Sequence, residues 1–313
     1  MRILVTGASG LLGLNLALEA AAKGHSVTGV TNRNRLKTRE FECLTADLLE
    51  PGTLENLLEH TQPDWVIHCA ALANVDACEE RPELAQRLNS EIPGKLARLV
   101  ARGGARLVHI STDAVFDGQR GGYREGDAPN PLSTYARTKL AGEYQVAAAN
   151  PQAIIARVNL FGWSVSGQRS LAEFFVNHLQ AEEPVNGFTD VFFCPLLVND
   201  IAHLLLRMLA LELSGLFHVV SSECLSKYDF GMHLARRFGL DASLIRPTSV
   251  TQGGLKAARS PNLTLDTHKL STALGESPPR ISPAIYRFYT LYQQGYPQRL
   301  KNMAVDETPH AGE

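Results

Sequence analysis

The stretch that most constrains what this chain can become is residues 2–13, RILVTGASGLLG. A short, β-branched apolar run ends at Thr6, and glycines follow at positions 7, 10 and 13. A Leu- and Ala-rich segment then continues from Leu11 to Lys23 and meets Gly24. Length and periodicity make the first piece a buried strand and the last a helix, with Gly24 in the position that favours a left-handed stop. Similar apolar runs recur at 26–31 (SVTGVT), 64–69 (DWVIHC), 106–110 (RLVHI) and 153–157 (AIIAR). Helix-period segments lie between them, including Pro82 to Arg102, which is expected to be interrupted or kinked near Pro93 and to end at Gly103-Gly104.

Strand and helix alternating through residue 160 predicts an α/β fold: a Rossmann-type doubly wound parallel sheet over residues 1–160. Its strand-to-helix loops gather at the carboxyl edge, where ligands bind. After 160 the pattern changes to helices with short isolated strands, such as VFFC at 191–194 and LFHVV at 216–220. This predicts a smaller C-terminal α/β substrate lobe over 161–303, whose elements can interleave with the first, and a flexible tail over 304–313.

Composition narrows the class. A net charge of -2 with no basic stripe argues against nucleic acid as a partner. The apolar region Leu196 to Val220 is broken by Asp200, His203, Arg207 and Glu212, so it reads as a buried helix and strand rather than a membrane span. The opening MRILVTG has no signal-peptide pattern, and a cytoplasmic protein is expected. Five scattered cysteines fit neither a CxxC site nor a zinc ribbon, so reduced thiols are expected. His68 and His109 lie in apolar runs and read as core residues, and no protein-bound metal is expected.

The glycine turn gives the first chemical expectation. Glycines at a strand-to-helix junction permit close backbone approach, and the helix N-terminus offers free N–H groups to a pyrophosphate. Gly7, Ser9, Gly10, Leu11, Leu12 and Gly13 are therefore the candidate dinucleotide contacts. Choice between the nicotinamide dinucleotides is made after the second strand, where a carboxylate would accept from a free ribose 2′-hydroxyl. Thr31, Asn32 and Arg33 stand there instead. Arg33 is either the partner of a 2′-phosphate, which favours NADP(H) over NAD(H), or a solvated surface charge.

Downstream, YARTK puts Tyr135 and Lys139 at i and i+4, on one face of a helix that starts after Pro129-Asn130-Pro131. A free tyrosine hydroxyl has a pKa of about 10, and an adjacent ammonium is expected to lower it by stabilising the phenolate. Tyr135 could then donate a proton to a carbonyl oxygen as hydride reaches its carbon. Thr112, at the end of the strand before, supplies a second hydroxyl in STDAVFDG (111–118).

With those residues in place, the chain resembles an extended short-chain dehydrogenase/reductase, most closely the dTDP-4-dehydrorhamnose reductase group. The stretches that carry the resemblance are TGASGLLG (6–13), ADL (46–48), CAALANVDACEE (69–80), STDAVFDG (111–118), YARTK with LAGE (135–143), RVNLFG (157–162) and RSPNLTLDTHKL (259–270). The resemblance implies that Asp47 and Leu48 lie near adenine and that Cys69, Ala70, Ala71 and Ala73 line the cofactor cleft. It also implies that Thr112, Tyr135 and Lys139 form the catalytic set, with Lys139 on the nicotinamide ribose. Asp113, Val115, Asn159 and Arg259 fall where it implies substrate contacts; for Asn159 and Arg259 a structural or solvated role is equally open.

The implied activity is NADP(H)-dependent reduction of a nucleotide-linked 4-keto-6-deoxy sugar. The group usually has an aromatic residue where Ala114 stands and a tryptophan within the strand read here as RVNLFG, although Trp163 follows at once. Two other functions stay open, a nucleotide-sugar epimerase or dehydratase, and a non-catalytic subunit resembling the methionine adenosyltransferase beta subunit. A homodimer is also open.

Overall fold

The computed structural model describes residues 1–252 and 260–305. The first half runs β1 (Arg2–Thr6), α1 (Leu11–Ala22), β2 (Ser26–Thr31), β3 (Glu42–Thr45), α2 (Thr53–Thr61), β4 (Trp65–His68), α3 (Val75–Glu80), α4 (Pro82–Gln86), α5 (Ile92–Gly103), β5 (Arg106–Thr112), α6 (Thr134–Ala149) and β6 (Ile154–Val158). The second continues β7 (Leu160–Phe161), α7 (Leu171–Gln180), β8 (Val185–Phe188), β9 (Phe192–Phe193), β10 (Leu196–Leu197), α8 (Val198–Ala210), β11 (Gly215–Val219), β12 (Leu225–Ser226), α9 (Lys227–Phe238), β13 (Ile245–Thr248), α10 (His268–Leu274), α11 (Ile281–Gln293) and α12 (Tyr296–Lys301).

The central sheet has seven strands in the order β11-β6-β5-β4-β1-β2-β3, every neighbouring pair parallel. Alternation explains why its inner strands are apolar throughout. Ile3, Val5, Ile67 and Val108 enter one core, while Leu4, Val66 and Leu107 enter the core on the other face. Neighbours β1 and β4 are separated in the chain by β2 and β3, so crossovers leave them in opposite directions and a crevice opens at their carboxyl ends. Helix α1 is buried along most of its length, from Leu12 to Leu18, because α8 covers the side that the sheet does not.

Several features depart from the sequence reading. Edge strand β3 has no apolar run to announce it: Glu42 and Thr45 are exposed, and the strand is held by its pairing with β2. The interruption expected near Pro93 is one turn of π-helix at Arg87–Glu91, after which α5 restarts with the proline in its first turn, where no backbone donor is required. The strand expected in the smaller lobe at 216–220 is β11, which pairs with β6 and completes the central sheet, so the second half interleaves with the first. Ala304 is not part of a free tail. It bridges Leu36, and the backbone of Val305 donates to Arg35, whereas 306–313 lie outside the described residues.

The expectation of five reduced thiols is also corrected. Cys194 and Cys224 are joined in a disulfide across a sequence separation of 30, and Cys43, Cys69 and Cys78 are free. The sheet brings the two loops together, with the Ser221 N–H donating to the Cys194 carbonyl at 3.3 Å, and sequence spacing carries no trace of that. No helix among the described residues is long and apolar enough to cross a membrane.

The π turn has a packing consequence. Gly142 on α6 lies against the Asn89 carbonyl, and a Cβ there would overlap that oxygen. We expect Gly142→Ala to cost about 1–3 kcal/mol, read as a lower urea midpoint at constant slope. An unchanged midpoint would mean that α6 can slide on the π turn.

Candidate active site

The cleft begins at the glycine turn. Gly7 has φ +69°, and a Cβ on it would sit 2.7 Å from the Ala70 nitrogen, so only glycine lets the loops after β1 and β4 touch. The Gly10 N–H donates to the Gly7 carbonyl at 2.9 Å, and a Cβ at Gly13 would overlap that same carbonyl. Gly10 is the N-cap of α1 and supplies no side-chain cap, which leaves the first N–H groups of the helix free at the crevice.

Two cavities continue from this turn. The first, of about 390 Å³, is lined by Gly7, Ser9, Gly10, Asn32, Arg33, Asp47, Leu48, Cys69, Ala70 and Ala71. No carboxylate lines it from the end of β2, where Thr31, Asn32, Arg33 and Asn34 stand. The second, of about 610 Å³, is lined by Gly10, Leu11, Leu12, Gly13, Cys69, Ala71, Ala73, Thr112, Asp113, Tyr135, Lys139 and Asn159.

Helix α6 is anchored before it delivers its side chains. Ser133 caps it by accepting from the Ala136 N–H, and the Glu79 carboxylate of α3 accepts from both the backbone and the hydroxyl of Thr134, at 2.7 and 2.6 Å. Tyr135, Lys139 and Glu143 then follow at intervals of four and share one face. The Lys139 ammonium donates to the Ile110 carbonyl at 2.6 Å. Glu143 accepts from Ser111 at 2.5 Å and from Arg157 through two nitrogens at 2.9 and 2.7 Å, so a buried ion pair ties α6 to β5 and β6. Asn89, fully buried in the π turn, holds both backbone groups of Leu72 and donates to Thr138 at 3.1 Å. It thereby sets the loop after β4 against the helix.

On the cleft floor, Thr112 shares a hydrogen bond with the Tyr135 hydroxyl and donates to Asp113 Oδ1 at 3.1 Å. Asn159 donates to Asp113 Oδ2 at 2.5 Å. Burial pushes the Asp113 carboxyl up to about 6, against the hydrogen bonds of Asn159 and Thr112 and the nearby Lys227 ammonium. Burial also pushes Lys139 down to about 8, with Glu143 acting the other way.

The sequence reading expected a nearby ammonium to lower the Tyr135 pKa. Burial instead raises it to about 12, and the Thr112 hydrogen bond only partly offsets that. Loss of water costs the phenolate more than its neighbours return, which leaves a neutral phenol able to donate a proton.

One residue assigned to the substrate, Val115, is not brought to the cleft. Val115 is wholly buried in a separate cluster with Phe116, Tyr123 and Cys194, and Arg259 lies outside the described residues. Trp163 does not take the place of the missing tryptophan: it stacks on Phe288 with ring centroids 4.0 Å apart and donates to the Phe288 carbonyl. The sequence reading missed Arg81 and Arg169, which line the first cavity, and Lys227, which acts on Asp113 from α9. Lone arginines and lysines in polar loops give no sequence signal of the cleft they face. Among the described residues no group of three or more His, Cys, Asp or Glu is placed to hold a metal ion.

The family model of the RmlD substrate binding domain matches residues 1–294. The chain is 34% identical over 286 residues to the "Probable low-salt glycan biosynthesis reductase Agl14" of Haloferax volcanii, covering 90% of this chain and 95% of that protein. It is 33% identical over 290 residues to Methionine adenosyltransferase 2 subunit beta of Bos taurus, covering 89% and 84% respectively. The crystal structure of a dTDP-4-dehydrorhamnose reductase from Clostridium acetobutylicum matches with a TM-score of 0.79 at 27% identity, covering 94% of this chain and 100% of that one.

The buried carboxyl of Asp113 makes stability depend on pH. Its pKa is about 6 in the fold against an ordinary 3.8, so the folded chain keeps the proton across an interval where the unfolded chain has released it. The penalty for ionisation is absent below the lower value, grows between the two and is complete above the higher. Asp113→Asn removes it and should be more stable than the parent by about 3 kcal/mol at pH 8, with the difference closing by about pH 4. Urea denaturation at three pH values checks this; a gap that does not change with pH would remove the buried charge as its cause.

Proposed function

The chain belongs to the RmlD substrate binding domain family of extended short-chain dehydrogenases/reductases, NAD(P)-dependent oxidoreductases, and we propose that it uses NADPH to reduce the 4-keto group of a nucleotide-linked 6-deoxy sugar, as a dTDP-4-dehydrorhamnose reductase does. One observation carries this reading: Thr112, Tyr135 and Lys139 line a single cavity that continues into the glycine turn. In this reading residues 1–160 hold the dinucleotide and most of 161–303 serves the sugar nucleotide.

The residues present fit a dinucleotide. Free N–H groups at the start of α1 suit a pyrophosphate, and Asp47 and Leu48 form the wall on the adenine side. Arg33, at a strand end that offers no carboxylate to accept from a 2′-hydroxyl, favours NADP(H); NAD(H) is the alternative. When bound, the reduced cofactor supplies hydride to the carbonyl carbon.

This chain's own residues do the rest. Thr112 orients the carbonyl oxygen, and Tyr135, held neutral by burial, passes its proton to that oxygen as negative charge develops there. Lys139, fixed by the Ile110 carbonyl, supplies positive charge and a donor for the nicotinamide ribose. The product is a secondary alcohol, and Tyr135 regains its proton from solvent. Asp113 and Asn159 form the wall facing the sugar.

A second reading has its own support in the 33% identity to Methionine adenosyltransferase 2 subunit beta. Under it the cleft would bind a dinucleotide without turnover, and the chain would act as a partner subunit. The intact Thr112, Tyr135 and Lys139 set favours the first reading. An epimerase or dehydratase is less well supported, because among the described residues Asp113 is the one carboxylate lining the second cavity.

Tyr135→Phe should lower kcat on a nucleotide-linked 4-keto-6-deoxy sugar by about 10²–10⁴-fold while leaving NADPH affinity nearly unchanged. NADPH oxidation by parent and variant decides it, and equal turnover would rule Tyr135 out as the acid. Arg33→Ser should weaken NADPH binding by about tenfold or more with little effect on NADH. Parallel losses for both cofactors would show that Arg33 does not read the 2′-phosphate.

A further inference from the structure

The two cavities of the cleft meet along four shared residues, Gly10, Cys69, Ala71 and Arg169. Arg169 is the only one of the four with a charged side chain. It comes from the second half of the chain, on the loop between β7 and α7, and faces the glycine turn across the crevice.

That loop is built to hold its place. Glu173 is fully buried and has no cationic partner among the described residues; its carboxylate accepts from the Ser164 N–H at 2.6 Å, the Arg169 N–H at 2.8 Å and the Ser170 N–H at 3.0 Å. Ser170 and Glu173 also form a reciprocal capping box at the start of α7. The backbone of Arg169 is therefore fixed, while its side chain is exposed and makes no hydrogen bond or ion pair among the described residues.

Resting on the reading of the cleft as a dinucleotide site, we propose that Arg169 clamps the cofactor pyrophosphate against the N-terminus of α1. A dinucleotide has two halves joined by its pyrophosphate. The first cavity suits the adenosine half, with Arg33 and Asp47, and the second suits the nicotinamide half, with Tyr135 and Lys139. The join must pass where the cavities meet, which is where Arg169 stands. A guanidinium opposite free helix N–H groups gives a dianion donors on both sides, in a geometry that a planar fork matches and a single ammonium does not. The clamp also makes cofactor binding depend on the second half of the chain.

The same chemistry would suit the diphosphate of a sugar nucleotide, and the test separates the two sources. Binding of NADPH, adenosine 2′-monophosphate and dTDP is measured by calorimetry on the parent, Arg169→Gln and Arg169→Lys, each checked for an unchanged melting temperature. Arg169→Gln should bind NADPH about 10- to 100-fold more weakly, with a shallower dependence on salt. Arg169→Lys should recover part of the loss. Adenosine 2′-monophosphate, which lacks the pyrophosphate, should bind all three equally.

Unchanged NADPH affinity in Arg169→Gln overturns the proposal, and so does a loss confined to dTDP, which would move Arg169 to the substrate. A variant that melts early is replaced by Arg169→Lys, whose NADPH affinity relative to the parent then decides. None of these readouts needs turnover. A parent that binds NADPH without reducing any sugar therefore counts against the proposed reductase and leaves the clamp standing.

Discussion

Everything in the cleft depends on how closely two loop backbones approach at the switch point of the sheet. The missing side chain of Gly7 lets the turn after β1 rest on Ala70 after β4. The Gly7 carbonyl in turn accepts from Gly10 and leaves no room for a side chain at Gly13. Three glycines thus solve one steric problem, bringing a helix N-terminus down onto a sheet edge with its donors unspent. Thr112, Tyr135 and Lys139 then come to the cleft from β5 and α6, on the far side of β4.

The second organising device is electrostatic. Glu143 and Arg157 form a buried pair that also takes up Ser111, so the strand carrying Thr112 and the helix carrying Tyr135 and Lys139 are held by the same carboxylate. Breaking one partner of such a pair strands a charge in a low-dielectric interior, which makes the relative position of strand and helix hard to perturb. Lys139 lies one helical turn from Glu143, and its ammonium is shielded from water and fixed to a backbone carbonyl. Burial is the common cause of the shifted groups: it keeps the Tyr135 phenol protonated, raises Asp113 and lowers Lys139. A site assembled this way needs no large motion to present a neutral acid and a cation side by side.

The sheet strands and the glycine turn were legible because each is a local pattern: a continuous apolar run, or glycines at a spacing that few other structures require. Tyr135 and Lys139 were legible because helical geometry turns a spacing of four into one face. Edge strand β3 was not, because half-exposed strands carry no apolar run. Thr112 and Tyr135 line one cavity, but the sequence reading had the sign of the Tyr135 shift reversed, since it could weigh a neighbouring charge and not the loss of solvent. Val115, two residues after the cleft residue Asp113 in STDAVF, turns away into the core because the chain forms a single 3-10 turn there.

The sequence alone determined the parallel sheet, the helix that opens on the glycine turn, and the helix face bearing Tyr135 and Lys139, because all of these follow from interactions within a few residues. Only the tertiary structure decided what the second half of the chain contributes. β11 completes the central sheet, Lys227 reaches Asp113, Arg169 meets the glycine turn, and Cys194 finds Cys224. Those relations join residues tens to more than a hundred positions apart, and no local preference encodes them. They are set when the two faces of the sheet are covered and the loops at its carboxyl edge take the space that remains.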